Sequence, residues 1–339
     1  SDLTATGAVI NADDISAALN AGTNVVVTTG TAATGTEAGD IIVNGDISRT
    51  EGPGTVTLTL QAHNDIHFFL DSSVEGTPEA PLNVNLHADI DGLGGGGVQI
   101  YYSSIITGGG HIDIGGGNPQ GTGRATGNGQ VDGVLLAGAR LDTTGDGSSG
   151  DITIRGCALA DSYTSGITIG RSWLTGRNIT LDGQGALGCG VCTTTDYGGP
   201  ILFESDNGLI DIRGLAHGGT DASGYGGTIV GVDLNLVNIW LGSTASLRVA
   251  GRATDDIGMG DAAGVRYRDT NIVASPDSTG TITLAGELAG SSPGLGGLAY
   301  YNTESGGMTI HGGLDPITGE SRPTGANIVL GCSASLGDA

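Results

Sequence analysis

Residues 150–185 read GDITIRGCALADSYTSGITIGRSWLTGRNITLDGQG, and two kinds of short apolar run alternate within them. One is Ile-x-Ile/Leu-x-Gly, as in ITIRG at 152–156 and ITLDG at 179–183; the other follows a glycine, as in GITIG at 166–170. Alternating apolar and polar positions over four or five residues, closed by glycine, mark a short half-buried strand. Neither run has the length or the period of a helix.

Working outward, the first kind recurs at Ile112, Ile152, Ile179, Ile210, Ile239, Ile282, Met308 and Ile328. The second recurs at Val98, Val134, Ile167, Ile201, Ile229, Val265 and Leu298, and a weaker third mark falls at Leu159, Leu187, Leu215, Leu247, Leu288 and Leu314. Three short strands in a repeat of about thirty residues match one coil of a parallel β-helix. Glycine and Asx residues then serve the bends, including those of positive φ. A propeller blade needs four antiparallel strands and about 40–45 residues, and neither is present. The expected fold is all-β, a parallel β-helix over 24–339, preceded by a cap over 1–23.

That cap contains the one convincing helix, DDISAALNAG at 13–22. Asp13 or Asp14 is placed to cap its start, Ile15, Ala18 and Leu19 form an apolar face, and Gly22 closes it. So short a helix needs packing to persist, and the open end of the first coil offers it. Two departures from the strand pattern, EGTPEAP at 75–81 and GGGNPQGTGRATGNGQ at 115–130, read as loop insertions. The pattern breaks over 315–323, resumes in NIVLGCSASL at 327–336 and ends without a cap. That ending is the expectation for a truncated chain, one that continues into further repeats, or one that docks onto another molecule such as a second copy.

Composition narrows the function. The 66 glycines and 4% aromatic content of the 339 residues require a narrow core of Val, Ile, Leu and Ala. Acidic residues outnumber basic ones 36 to 12, and every basic residue is arginine. Such a chain is unsuited to nucleic acid or to an anionic membrane surface. It has no apolar run of the length needed to span a bilayer, so direct membrane insertion is not expected.

The runs INADDISAALNAGTNVVVTTG, GDIIVNGDIS, TVTLTLQAHNDIHF, LNVNLHADIDG and IITGGGHIDIGGG, over roughly residues 9–117, resemble the repeats of filamentous-haemagglutinin-type large exoproteins of the two-partner-secretion family. The resemblance implies a right-handed parallel β-helix at the bacterial cell surface. It implies a non-catalytic stalk or adhesive fibre, with other copies, further repeats, or a host glycan or protein as partner. The asparagine-rich secretion signature of that family is not found near Ser1, so the expectation from the resemblance is an internal or C-terminal portion or a shorter relative.

Candidate chemistry is sparse. Counting outward positions from the first series gives the column Gly115, Arg155, Asp182, Arg213, Gly242, Ala285 and His311, in which Arg155, Asp182 and Arg213 lie on successive coils about 4.8 Å apart. This reads as a cross-strand charge ladder, with an anion or sugar site as the alternative. The second series gives Tyr101, Ala137, Gly170, Glu204, Val232, Arg268 and Tyr301, a weak glycan groove, with Phe203, Tyr267 and Tyr300 inward. A carbohydrate-active enzyme, a polysaccharide lyase or glycoside hydrolase on the same scaffold, is the rival reading. It requires paired carboxylates with tuned neighbours. Asp13-Asp14 and Asp255-Asp256 lack such neighbours, and His217, near Asp211 and Arg213, reads as a turn residue, so no catalytic residue is assigned.

No cofactor is implied beyond calcium, for which Asp89 and Asp91 in DIDG and Asp146 in TGDGSSGD are the candidates. Of the four cysteines, Cys189-Gly-Val-Cys192 has the spacing of a redox or zinc half-site but no second ligand pair in sequence. Four cysteines in a secreted chain suggest two disulfides in any of three pairings. Cys157 and Cys189, one coil apart, are placed to bridge adjacent rungs, while Cys332 lies far along the rod, where a partner in another subunit is expected.

Overall fold

A computed structural model of the chain describes residues 7–29, 39–159, 162–218, 229–255, 262–290, 296–300, 308–313, 318 and 320–331. The chain is mostly strand, with one helix among these residues, and the strands form three stacked parallel sheets. The chain visits them in rotation. Ile152–Cys157 belongs to the first sheet, Ile167–Gly170 to the second, and Trp173–Thr175 to the third. Each then pairs in parallel with the equivalent strand of the next circuit: Ile179–Gly185, Val191–Thr194 and Ile201–Ser205. The first sheet runs as a path of ten strands from Val25–Thr28 to Asn327–Gly331. This connectivity is compatible with a parallel β-helix.

Register explains the core. Ile112, Ile152, Ile179, Ile210, Leu247 and Ile282 stand directly over one another in the first sheet. All six are buried, and Ile152–Cys157 alternates buried and half-buried positions along its length. A fully buried side chain of this size contributes about 1.5–3 kcal/mol relative to leaving it in water. One such stack on each face, with Phe68, Phe203 and Tyr267 as its bulkiest members, makes the core.

The face assignment differs from the expectation in an instructive way. Ile239 and Met308 belong to the third sheet, and Leu247 takes the expected place of Ile239 in the first. Ile201 likewise lies in the third sheet, and Val191 and Val232 lead the second-sheet strands of their circuits. All three faces use the same β-branched mark, and circuits differ in length, so a fixed spacing slips from one face to another.

Two corners are built differently. Between the second and third sheets, six circuits turn through a residue in the left-handed conformation, Asp71, Tyr102, Gly138, Arg171, Leu236 and Asp269, with φ of 64°, 45°, 68°, 45°, 57° and 46°, and the turn from Thr194 to Ile201 uses Gly198 at 65°. Between the first and second sheets stand glycines in register, Gly156, Gly183, Gly214, Gly251 and Gly286. The first four have no positive φ; what they require is close approach. A Cβ at Gly183, Gly214 or Gly251 would overlap the carbonyl oxygen of Gly190, Gly231 or Gly264. Each pair pinches off the excursion between two strands.

The helix spans Ala12–Asn20. Its N-cap is Asn11, whose Oδ1 accepts from the Asp13 N–H at 3.0 Å, so Asp13 and Asp14 fall in the first turn instead of capping it. Carboxylates there favour the positive end of the helix dipole. Gly22, at φ 79°, follows the last turn, and its N–H reaches the Leu19 carbonyl. Ile15 and Leu19 are buried, and the helix packs on Ile47–Arg49, the first strand of the third sheet. Ser16 Oγ accepts from the Ser48 N–H, and Asn20 Oδ1 accepts from Thr50 and Glu51. Arg49 itself is wholly buried and donates to the carbonyls of Leu19, Pro81, Gly52 and Pro53.

Both expected insertions are shorter than the sequence suggests. Glu75 and Gly76 complete the strand Ser73–Gly76, leaving a tight turn closed by Thr77 and Ala80. Gly115 and Gly116 end Ile112–Gly116, and Ala125–Thr126 pairs with Gly156 and Cys157. The segment between folds back over the first sheet. There Arg155 donates to the Gly121 and Gly123 carbonyls, and Arg124 to Asp182.

Candidate functional site

The outward face of the first sheet carries the expected charge column, in altered form. Arg155, Asp182 and Arg213 are in register, followed by Ala250 and Ala285; Gly242 and His311 lie elsewhere. The charges do not pair along the column. Arg155 pairs with Asp113 at 2.8 Å, Arg124 with Asp182 at 2.7 Å, and Arg213 with Asp211. Burial alone would raise the Asp113 carboxyl, but hydrogen bonds from His87 and Arg155 hold it below the usual carboxylate range. This face neutralises itself.

The third sheet presents the opposite surface. The only two tryptophans of the chain, Trp173 and Trp240, both stand on it, 50% and 49% exposed. They belong to adjacent outward columns. One runs Arg140, Trp173, Leu202, Asn238; the other runs Asp142, Thr175, Glu204, Trp240. The tryptophans are therefore two rungs and two residues apart, about 12 Å on the diagonal, with Leu202 and Glu204 between them. Glu204 has no cationic partner among the described residues, and burial followed by repulsion from Asp206 and Asp142 raises its carboxyl. Asp142 is held low, because hydrogen bonds from Thr144 and Arg140 outweigh its burial. Glu204 was expected on the second sheet with Tyr101, which instead shares its column with Ala137, Gly170 and Thr194. Arg268 does lie on the second sheet, in register with Asn235, while Tyr301 is outside the described residues.

A third region is an open groove of about 500 Å³ over the second sheet, floored by Thr168, Cys192, Asp233 and Arg266. These four are register neighbours on successive strands. Cys189 and Cys192 form a disulfide with Cα atoms 5.6 Å apart. The anticipated Cys157–Cys189 bridge is not made: Cys157 ends a first-sheet strand opposite Gln184, whereas Cys189 sits at the corner leading into the second sheet. Cys157 has no disulfide partner among the described residues, and burial raises its thiol. Cys332 lies outside them. Asp233 accepts from Arg266 Nε at 3.1 Å and from Arg268 Nη2 at 2.8 Å. Across the groove, Asp132 accepts from the Ser165 N–H at 2.6 Å, and burial raises its carboxyl.

Of the calcium candidates, Asp89, at φ 52°, accepts from the Gly94 N–H at 2.9 Å and lies beside Asp91, which accepts from the Leu93 N–H in an Asx turn. Asp146 is exposed between the paired strands Thr144–Gly145 and Ser148–Ser149. Among the described residues, the three-donor cluster able to hold a metal ion is Cys189, Cys192 and Asp233. His217 is exposed at the end of Leu209–His217, and Asp211 is committed to Arg213. Asp13 and Asp14 are helix residues, and Asp256 is outside the described residues.

Sequence reasoning missed both the tryptophan face and the reach of Asp233. A signal was present for the second: Val191-Cys192, Val232-Asp233 and Val265-Arg266 share a strand-leading valine, which aligns Cys192, Asp233 and Arg266. No protein-family model, curated protein or solved structure matches this chain.

Proposed function

We propose that the chain is a rigid, non-catalytic element of an extracellular stalk or surface fibre, a right-handed parallel β-helix of the filamentous-haemagglutinin type. The observation that carries this reading is the unbroken parallel ladder from Val25 to Gly331. Such a ladder resists bending and shear because every rung is bonded to the next along its backbone. Contact with a partner falls to the third sheet, where Trp173 and Trp240 offer two aromatic faces with Glu204 and Asn238 beside them. Half-exposed tryptophans two rungs and two residues apart, about 12 Å, suit the apolar faces of non-adjacent sugar rings along a surface glycan. End-to-end association with other copies or further repeats would extend the fibre.

The test is electron microscopy of the native protein combined with a glycan array. Stiff rods or filaments, with glycan binding abolished in Trp173→Ala and Trp240→Ala, are expected. Flexible or globular particles would overturn the stalk, and array signals unchanged in both variants would overturn the contact face.

One observation favours a second reading, a glycoside hydrolase or polysaccharide lyase. Glu204 and Asp142 share a column two rungs apart, and their carboxyls are shifted in opposite directions. Carboxyl pairs of divided acidity, separated by up to about 9.5 Å, perform inverting hydrolysis. Release of reducing ends from bound polysaccharide, lost in Glu204→Gln, would establish it over the stalk.

A further inference from the structure

The Cys189–Cys192 pair has a neighbour that gives it chemistry beyond a structural bond. Asp233 stands in register with Cys192, and one donor atom from each of Cys189, Cys192 and Asp233 lies within 4.8 Å of the other two. The geometry assigns to the reduced protein a binding site for one thiophilic divalent cation of the zinc class, held by Cys189 Sγ, Cys192 Sγ and a carboxylate oxygen of Asp233. The disulfide is the metal-free, oxidised form of the same site.

Three features of the structure support this. The first is reach. Zinc-type ions sit about 2.3 Å from sulfur and about 2.0–2.2 Å from carboxylate oxygen. Tetrahedral ligation then needs sulfurs about 3.8 Å apart, a modest opening once the S–S bond is broken. Cys189 begins this opening at a corner, where Cys192 already lies in a strand.

The second is orientation. Asp233 is 3% exposed and its carboxylate is fixed by Arg266 and Arg268. Groups that anchor a ligating carboxylate in this way set its direction and tune the metal. They also balance charge: two thiolates and a carboxylate exceed a divalent ion by one negative charge, and two guanidinium groups stand beside it.

The third is access. Cys192 is half-buried and lines the groove beside Thr193, Asp132 and Tyr197, so a water can reach the metal and complete the coordination. Two thiolates select a soft or borderline ion and disfavour calcium, despite the strongly acidic composition of the chain.

The chemistry balances. A phosphine reductant takes the oxygen of one water and leaves as phosphine oxide, while the disulfide gains two electrons and two protons. Metal binding then releases the two thiol protons. Oxidation by a peroxide removes two electrons from the thiolates, forms the S–S bond, yields two waters from peroxide and two protons, and frees the ion.

Cobalt(II) is the probe for the test, added to the full chain carrying Cys157→Ser and Cys332→Ser after phosphine reduction. One equivalent should bind, with a thiolate-to-cobalt charge-transfer band in the near ultraviolet and intense visible bands of tetrahedral cobalt, both bleached by zinc. The unreduced protein should show neither. Asp233→Asn should weaken cobalt binding at least tenfold and Cys192→Ser should remove the charge-transfer band, whereas Asp146→Asn should change nothing. Circular dichroism of each variant separates loss of the site from loss of the fold. A folded, reduced protein that gives no charge-transfer band at one equivalent overturns the assignment. So does a folded Asp233→Asn or Cys192→Ser protein that binds cobalt as the parent does.

Discussion

The outward faces of the first and third sheets are made from the same strand idiom and put to opposite uses. On the first, Arg155, Arg124 and Arg213 each have an aspartate partner, and the 117–124 segment is drawn down over the strands. On the third, Trp173, Trp240 and Glu204 face solvent without comparable partners among the described residues. A face whose polar groups are satisfied internally has little left for a ligand, whereas unpartnered aromatic and carboxylate groups keep their binding capacity. Outward chemistry, and not the fold of each strand, separates scaffold from contact surface.

The largest effect that should separate the two faces comes from the pinch at the edge of the first. Gly214→Val places side-chain carbon where the Gly231 carbonyl lies, and should cost about 3 kcal/mol or more in chemical unfolding. Trp240→Ala, on the third sheet, should stay within about 0.5 kcal/mol of the parent. Equal losses would mean that the tryptophan is structural.

Next in size, Arg155→Ala strips a charged donor from Asp113 and from the Gly121 and Gly123 carbonyls, and should destabilise by about 1.5–3 kcal/mol. Hydrogen exchange should show the loss first in the 117–124 segment.

The two faces should also respond to pH with opposite signs. The Asp113 carboxyl is lowered in the fold, so its contribution is present above its unfolded value near 3.8 and is lost as pH falls through the folded value. Asp113→Asn should therefore destabilise at pH 7 and converge with the parent in strong acid. Glu204 is raised, so its stabilising contribution is present below its unfolded value near 4.5 and is lost as pH rises through the folded value. Glu204→Gln should gain stability at pH 7 and none at pH 3. Urea titrations at the two pH values decide both signs.

The smallest effect belongs to the left-handed corner between the second and third sheets. Leu236→Asn puts at φ 57° a short polar side chain that can hydrogen-bond locally to the backbone, and should stabilise by up to about 1 kcal/mol. A loss there would mean that the leucine side chain holds the corner by packing.

How much of this was legible follows from what each signal depends on. The strand idiom depends on neighbouring residues, so Ile152, Ile179 and Ile210 read correctly as one buried stack. Which face a strand occupies depends on the length of each circuit, so Ile201, Ile239 and Met308 were placed on the wrong ones. Glycine and Asx residues do serve bends of positive φ, as at Asp71, Gly138 and Asp269, but Gly183 and Gly214 serve close approach, which a local pattern does not reveal. Contacts such as Arg124 with Asp182 or Cys192 with Asp233 join residues of different circuits, and only correct register reveals them.

The pinching glycines have a consequence for grafting. The first-sheet strands run two or three residues past these glycines, to Gly185 and His217, and the chain then returns to the same backbone contact whatever the length between. The chain between Gly214 and Gly231 is more than twice as long as that between Gly183 and Gly190, yet both pairs meet in the same way. A foreign peptide spliced at 186–188, past the last rung residue Gly185 and before Cys189, would be carried as cargo on the frame. Several such peptides, one per pinch, would be presented in a row at a pitch of about 4.8 Å.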